Sequence, residues 1–126
     1  MSASLTLQEM LVAALSDVPG ISGIYDGPPP DALPPYLVLG ADLVTDWSTK
    51  TERGHEHRIA INAWAPGPGA AVVKPILGAI EARLVALAGV RDGLAVVSTQ
   101  LLRTLVLTDA EGWTQGIIEF RVRTLG

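Results

Sequence analysis

Residues 57–64 alternate between apolar and polar or small side chains, and this pattern restricts the fold more than any other in the chain. Ile59 and Ile61 occupy one set of alternate positions. Because successive side chains of a strand lie on opposite faces, the period of two predicts a β-strand with one buried face. Residues 36–44, rich in Val and Leu, predict its partner. The polar residues 46–56 between them predict a long antiparallel hairpin with an exposed, charged tip.

Residues 94–107 and 115–125 predict a second hairpin, joined through the turn at residues 109–112. The period of two divides its apolar side chains between two faces. The residues expected to face the helices are Leu102, Val106, Ile118, Phe120 and Val122. Those expected on the opposite face, beside Arg103, Glu119 and Arg121, are Leu101, Leu105, Leu107 and Ile117. Two helices cannot easily cover both faces, so we expect the second face or the strand edges to contact another subunit.

Two stretches have the i, i+3, i+4 spacing of apolar residues that is typical of amphipathic helices. The first is residues 5–16, where a capping-box pattern at Thr6 marks a helix start there or a few residues earlier. The second follows the break at residues 66–69, and its apolar positions are Val73, Ile76, Leu77, Ile80, Leu84 and Leu87. A brief strand at residues 21–25 precedes residues 27–30, whose prolines forbid regular pairing.

This order of elements predicts one α+β domain over residues 1–126, with an antiparallel sheet of four to five strands and two helices packed on one face. The chain has no cysteine, which excludes disulfides and thiol chemistry. Its net charge is −4, so we expect no sequence-specific nucleic-acid binding. No apolar run is long enough to span a bilayer and no basic residue precedes Lys50, so we expect neither membrane insertion nor an export signal.

The distribution of charge is uneven, since residues 1–49 hold six acidic residues and no basic one. Such a split gives the folded molecule an acidic side and a weakly basic side, which suits head-to-tail association. The mean hydropathy of +0.36 is high for a small domain, and it also favours burial against copies of itself.

Two histidines are the best candidates for chemistry. His55 and His57 lie at i, i+2, so both imidazoles lie on one side of a strand and could bind a metal with Glu52 or Asp46. A metal site needs three or four converging ligands, so two structural histidines at a hairpin are the favoured interpretation. No nucleophile elbow and no phosphate-binding glycine loop occurs, and we expect no catalytic residue and no cofactor.

Aromatic and charged side chains near the turns are candidates for an interface. Trp47, Trp64 and Trp113 lie next to predicted turns or strand ends, where tryptophan acts as an anchor or packs at the rim of the core. We take the candidate interface residues to be Trp47, Lys50, Glu52, Arg53, Leu101, Leu105 and Ile117. The charged tip of the first hairpin is expected to become ordered on assembly.

Four segments carry a resemblance to a known family. They are Ile24-Tyr25-Asp26-Gly27-Pro28-Pro29, Pro35-Tyr36-Leu37-Val38-Leu39-Gly40, Asp46-Trp47-Ser48-Thr49-Lys50-Thr51 and His57-Arg58-Ile59-Ala60-Ile61-Asn62-Ala63-Trp64. Followed by a helix and a closing hairpin, they resemble the tail-completion proteins, the tail terminators of long-tailed phages, prophages and gene transfer agents. The resemblance covers nearly the whole chain.

The resemblance implies a structural protein and no enzyme. It implies a ring of identical subunits, six by the family pattern, on the head-proximal end of the tail tube, where the ring stops tube growth and joins the tube to the head-tail connector. Assembly in the bacterial cytoplasm, followed by a place in the particle tail, is implied as well. The alternatives from the residues alone are a small ligand- or metal-binding domain that uses His55 and His57, and a regulatory module that binds a protein partner through its sheet edge.

Overall fold

A computed structural model of the chain describes residues 2–27, 29 and 31–126. Met1, Pro28 and Pro30 lie outside the described residues, so the predicted interruption of strand pairing at residues 27–30 is not tested at those two prolines. The elements in chain order are α1 (Ala3–Leu15), β1 (Ile24–Tyr25), β2 (Tyr36–Asp46), β3 (Gly54–Pro66), α2 (Ala70–Val85), β4 (Val90–Arg91), β5 (Leu94–Thr108) and β6 (Trp113–Leu125).

The six strands form one sheet in the order β1-β2-β3-β6-β5-β4. The α+β class is confirmed, but the sheet has six strands rather than four to five, and it is mixed because β1 pairs with β2 in parallel. The strand β4 was not predicted; it has two residues and is joined to β5 by Asp92 and Gly93. Both residues have positive φ, 49° and 81°, as an Asp-Gly two-residue hairpin turn requires.

The α1 helix begins earlier than the apolar spacing alone indicated. The hydroxyl of Ser2 accepts a hydrogen bond from the backbone N–H of Leu5 at 2.9 Å and so caps the helix. Thr6 is buried within the first turns instead. The helix therefore starts within the few residues before Thr6 that the capping-box pattern allowed.

Both helices cover the same side of the sheet, which we call the inner face. On β6 every second residue from Thr114 to Thr124 is buried, and Ile118, Phe120 and Val122 have no solvent exposure, as the period of two predicted. These side chains pack against apolar residues of α1, α2 and β3. The hydrophobic core thus lies between the inner face and the helices, and neither α1 nor α2 lies over the opposite side, which we call the outer face.

Two bulges in β5 correct the predicted faces of that strand. The pairing of β5 with β6 shifts between Val96 and Ser98 and again between Leu101 and Arg103. Each bulge inserts one residue and inverts the alternation beyond it. The placement of Leu101 on the outer face and of Leu102 in the core was therefore wrong: Leu101 pairs with Phe120 and packs against the core, whereas Leu102 lies in the bulge and is 37% exposed.

Candidate functional site

The outer face is the side of the sheet that α1 and α2 leave open. Strand pairing places on it alternate side chains from four strands. These are Tyr36, Val38 and Leu43 of β2; Glu56, Arg58, Asn62 and Trp64 of β3; Trp113, Gln115, Ile117, Glu119, Arg121 and Arg123 of β6; and Arg103, Leu105 and Leu107 of β5.

One end of the outer face is a cleft with aromatic walls, which we call the aromatic cleft. It has a volume of about 360 Å³ and is lined by Tyr36, Val38, Asn62, Trp64, Asp109 and Trp113. The ring centroids of Tyr36 and Trp113 lie 6.4 Å apart with their planes at 52°, and those of Trp64 and Trp113 lie 6.4 Å apart at 75°. The rings are thus inclined to one another rather than stacked face to face.

Polar groups occupy the floor and rim of the aromatic cleft. The side-chain amide of Gln115 donates to Asn62 Oδ1 at 2.9 Å. Asp109 Oδ1 accepts from the backbone N–H groups of Glu111 and Trp113, both at 2.9 Å, which fixes the β5–β6 turn at the rim. The cleft therefore combines half-buried aromatic rings with a few oriented polar groups, as small binding sites do.

Exposed leucines continue the apolar surface beyond the cleft. Leu105 pairs with Ile117 and Leu107 pairs with Gln115. Leu105 is 40% exposed and Leu107 is 46% exposed, while Ile117 is half-buried. Of the predicted interface residues, the structure thus brings Leu105 and Ile117 together on the outer face and leaves Leu101 on the inner face.

The middle of the outer face carries an ion pair in a two-bond geometry. Arg103 donates from Nε and from one terminal nitrogen to the two carboxylate oxygens of Glu119, at 2.9 and 3.0 Å. These hydrogen bonds hold the pKa of Glu119 below its ordinary value and raise the pKa of Arg103. Glu119 is therefore charged under ordinary conditions, and its charge is matched within the face.

The far end of the outer face is basic. Glu56 accepts from Arg123 Nε at 3.0 Å and lies 3.9 Å from Arg121 Nε. Arg58 is exposed and, among the residues that the structure describes, has no carboxylate within ion-pair distance. With Arg103 and Glu119 included, the strands of the face carry four arginines and two glutamates, and Asp109 at the rim of the aromatic cleft adds one negative charge. The outer face thus has an aromatic, apolar end and a positively charged end.

The tip of the first hairpin adjoins the basic end. The guanidinium carbon of Arg123 lies 5.2 Å from the centroid of the Trp47 ring, a cation–π contact. The backbone N–H of Trp47 donates to the Gly54 carbonyl at 2.9 Å. Lys50, Glu52 and Arg53 are exposed at the tip beyond it. The predicted interface residues therefore separate into three places: Leu105 and Ile117 lie on the outer face, Trp47, Lys50, Glu52 and Arg53 lie at the hairpin tip, and Leu101 lies on the inner face.

The histidine pair does not form a metal centre with the rest of the described chain. His57 is fully buried on the inner face, with Nε2 2.9 Å from the Thr124 hydroxyl, and the two histidine rings lie 6.1 Å apart. Burial lowers the pKa of His57. No group of three His, Asp or Glu side chains that could hold a metal occurs among the residues that the structure describes. His57 is thus a neutral core residue at ordinary pH.

Neither helix in the described part of the chain has the length and apolar character needed to cross a bilayer.

Only part of the aromatic cleft was predicted from the sequence. Trp64 and Trp113 were candidates there, but Tyr36, Asn62 and Asp109 were not. Tyr36 pairs directly with Trp64 across the β2–β3 hairpin. Correct pairing of these two strands would therefore have predicted that the two rings lie side by side. A shift in β2 between Leu39 and Asp42 made this register hard to count from the turn.

Comparisons with known proteins agree on fold and family. A family model described as "Tail completion protein gp17" matches residues 9–125. A chain of the solved structure described as "Virion of native gene transfer agent (GTA) particle" superposes with a TM-score of 0.76 and is 24% identical; the match covers 99% of this chain and 96% of that chain. At this identity the likeness is one of fold. A comparison with curated proteins gives no significant match.

Proposed function

Since this chain belongs to the family of tail completion proteins gp17, we propose that it is a tail terminator. The family is structural, so the protein is a component of a phage-type tail and not an enzyme. In the proposed role, copies of the chain form a ring on the head-proximal end of the tail tube, stop its growth and join it to the head-tail connector. Six copies is the number that the family resemblance implies.

The observation that carries this proposal is the open outer face. A protein that functions as a monomer normally keeps tryptophans and leucines out of contiguous exposed patches, because such apolar patches favour association with other molecules. Here Trp64, Trp113, Leu105 and Leu107 lie together on a side that no helix covers. Such a face is suited to permanent contact with another subunit, whose arrival buries it.

The two unlike ends of the outer face support a ring over a two-fold dimer. A two-fold contact presents the same patch on both partners, whereas a head-to-tail contact joins two different patches and closes into a ring when the rotation allows. The outer face is basic at one end, while residues 1–49 hold six acidic residues and no basic one. Opposite charges on different parts of one chain favour the head-to-tail arrangement.

The proposed partners are other copies of this chain, the tail tube protein and the head-tail connector protein. The proposed place is the bacterial cytoplasm during assembly and the particle tail afterwards. The exposed tip with Lys50, Glu52 and Arg53 projects beyond the sheet, so it is available to a partner above or below the ring.

The experiment compares particles made with and without the protein by electron microscopy. We expect particles that lack it to have tails of abnormal length or heads and tails that remain unjoined. Wild-type protein supplied in trans restores them, while Leu105→Glu does not, because it places a charge in the apolar part of the outer face.

Leu5→Glu is the matched control for that variant. Leu5 is 51% exposed and Leu105 is 40% exposed, but Leu5 lies on α1, on the other side of the molecule. In the first turn of a helix capped by Ser2 a glutamate is favourable. Rescue by Leu5→Glu and failure of Leu105→Glu support the proposal. Normal tails without the protein, or full rescue by both variants, contradict it.

A further inference from the structure

The sheet has a free edge on each side. The strand β1 pairs only with residues 37–38 of β2, and β4 pairs only with residues 94–95 of β5. Beyond these short strands, residues 40–46 of β2 and 98–108 of β5 have a strand neighbour on one side alone. On the other side their backbone groups make no hydrogen bond to any residue that the structure describes. Each edge therefore presents backbone donors and acceptors to a further strand.

The second half of β5 lacks the features that usually protect an edge. Protein sheets guard their edges with prolines, bulges or unpaired charged side chains. Both bulges of β5 lie before Arg103, and residues 103–108 contain no proline. The one charged side chain in that stretch, Arg103, is bonded to Glu119 of β6. Apart from Val106 the stretch is exposed, so it is suited to pairing with another strand.

Both edges carry exposed leucines on the outer face. Leu43 of β2 is 59% exposed, and Leu105 and Leu107 of β5 are 40% and 46% exposed. Leu43 pairs with Arg58 and Leu105 pairs with Ile117, so strand alternation places the leucines on the same face. Apolar side chains that lie opposite each other on paired strands stabilise a sheet. Pairing of the two edges thus covers leucines that a single copy leaves in water.

We propose that the free edge of β5 in one copy pairs antiparallel with the free edge of β2 in a second copy, with Leu105 opposite Leu43. The strands β2 and β5 run in opposite directions, because three successive antiparallel pairings connect them through β3 and β6. A second copy placed beside the first in the same orientation therefore presents β2 antiparallel to β5, with both outer faces on the same side. The inference rests on the proposed function, for which it supplies the contact between copies.

The two free stretches also fit each other in length. With Leu43 opposite Leu105, residues 42–45 lie opposite residues 103–106, and both stretches are free of bulges. The strand β1 lies beside residues 37–38, which come past the end of β5, and β4 lies beside residues 94–95, which come past the end of β2. Neither short strand therefore obstructs the contact.

The charges of the strands favour two unlike edges over two copies of β2. The strand β2 carries Asp42 and Asp46 and no basic residue, whereas β5 carries Arg103 and no acidic residue. Two copies of β2 paired over residues 42–46 place Asp42 opposite Asp46 twice, and like charges opposite each other destabilise a sheet. Pairing of β2 with β5 avoids this repulsion. It joins two different patches, so it is head-to-tail and can repeat around a ring.

The test places two cysteines in a chain that has none. Leu43→Cys and Leu105→Cys in one chain lie at least about 14 Å apart, because three strand spacings separate them, so no disulfide can join them within a copy. We expect mild oxidation of assembled particles to join this double variant into a ladder of covalent oligomers, the largest with one copy for each subunit of the ring. Each single variant should stay monomeric, because every contact then holds one thiol.

Leu5→Cys combined with Leu105→Cys is the matched control. Leu5 is 51% exposed but lies on α1, over the inner face, so the sheet separates the two thiols and no ladder should form. A second measurement uses the wild-type chain. Hydrogen exchange of alternate amides in residues 42–46 and 103–108 should slow by about tenfold or more between the free subunit and particles, while the amides of α1 keep their rates.

Four results overturn the inference. They are the absence of a ladder from a double variant that enters particles, an equal ladder from the control, dimers from either single variant, and unchanged exchange in either strand. Dimers from Leu105→Cys alone would mean that β5 pairs with β5. If the double variant does not enter particles, hydrogen exchange of the wild-type chain decides.

The two proposals fail in different ways, and the double variant is therefore also oxidised as a concentrated purified chain. If no ladder forms and exchange is unchanged, but particles that lack the protein have unjoined heads and tails, the edges do not pair while the terminator role stands. If the ladder forms with the purified chain but particles that lack the protein have normal tails, the contact between copies is real and the terminator role is wrong.

Discussion

The inner and outer faces of the sheet are built from the same strands but differ in what covers them. On β6, Phe120 and Val122 have no solvent exposure under the helices, while Glu119 and Arg121, which flank Phe120 along the strand, are half-buried on the other side. The outer face is too apolar to be a typical solvated surface, and its arginines and glutamates make it too polar for a core. The difference indicates that strand alternation determines where the core lies, and it is the basis of the proposal that another subunit covers the other side.

The largest effect is expected from a truncation on the inner face. Phe120→Ala removes a ring with no solvent exposure from the centre of the core, and we expect it to cost about 3–5 kcal/mol of unfolding free energy. Ile117→Ala, on the outer face of the same strand, should cost less than about 1.5 kcal/mol, because the side chain is only half-buried in the free subunit. Chemical denaturation of both variants measures the difference, and equal losses would show that the outer face is also part of the monomer core.

A smaller effect should separate two adjacent leucines. Leu101 packs against the core and Leu102 lies in the β5 bulge. We expect Leu101→Ala to lower the unfolding free energy by about 1–2 kcal/mol and Leu102→Ala by less than about 0.5 kcal/mol. If Leu102→Ala costs more than Leu101→Ala in the same denaturation experiment, β5 alternates without interruption, and the bulge between Leu101 and Arg103 is refuted.

The smallest effect is a pH dependence of stability that originates on the inner face. Burial lowers the pKa of His57 from its ordinary value of 6.5, so the unfolded chain binds a proton that the folded chain rejects. Stability should therefore be full above pH 6.5 and fall as the pH drops below it. The lowered pKa values of Asp46 and Glu119 act only in more acidic solution, because their ordinary values are 3.8 and 4.5.

The check is thermal unfolding of the wild-type chain and of His57→Gln between about pH 5 and pH 7. The glutamine does not titrate and can still hydrogen-bond Thr124, so the slope should flatten in the variant. An identical slope in both proteins would assign the pH dependence to another group.

Much of the fold could be predicted from local pattern. The alternation at residues 57–64 and the spacing of Val73, Ile76 and Ile80 are local signals, and the strand and helix they predicted are present. The bulges of β5 were not predictable in this way, because an inserted residue is specified by pairing with β6 and leaves no composition signal. The parallel pairing of β1 with β2 was likewise not predictable, because it depends on long-range contacts and β1 has only two residues.

The candidate site was predicted only in part. The excess of apolar residues in the last hairpin correctly indicated an open second face, and Leu105 and Ile117 lie on it. Prediction of the aromatic cleft would have required the register between β2 and β3, which brings Tyr36 beside Trp64. Leu101 was wrongly placed on the outer face, because the bulge that turns it to the inner face could not be predicted from the sequence. Whether these residues contact another subunit is the proposal that the structure motivates.

The most direct test of burial on the outer face uses single cysteines, since the natural chain has none. Leu105→Cys and Leu5→Cys place thiols at exposed positions on opposite sides of the molecule. Both should react with a maleimide in the free subunit. In assembled particles, we predict that the thiol at position 105 becomes protected while the one at position 5 stays reactive. If the thiol at position 105 reacts as fast in particles as in the free subunit, the outer face is not an assembly surface and the account is wrong.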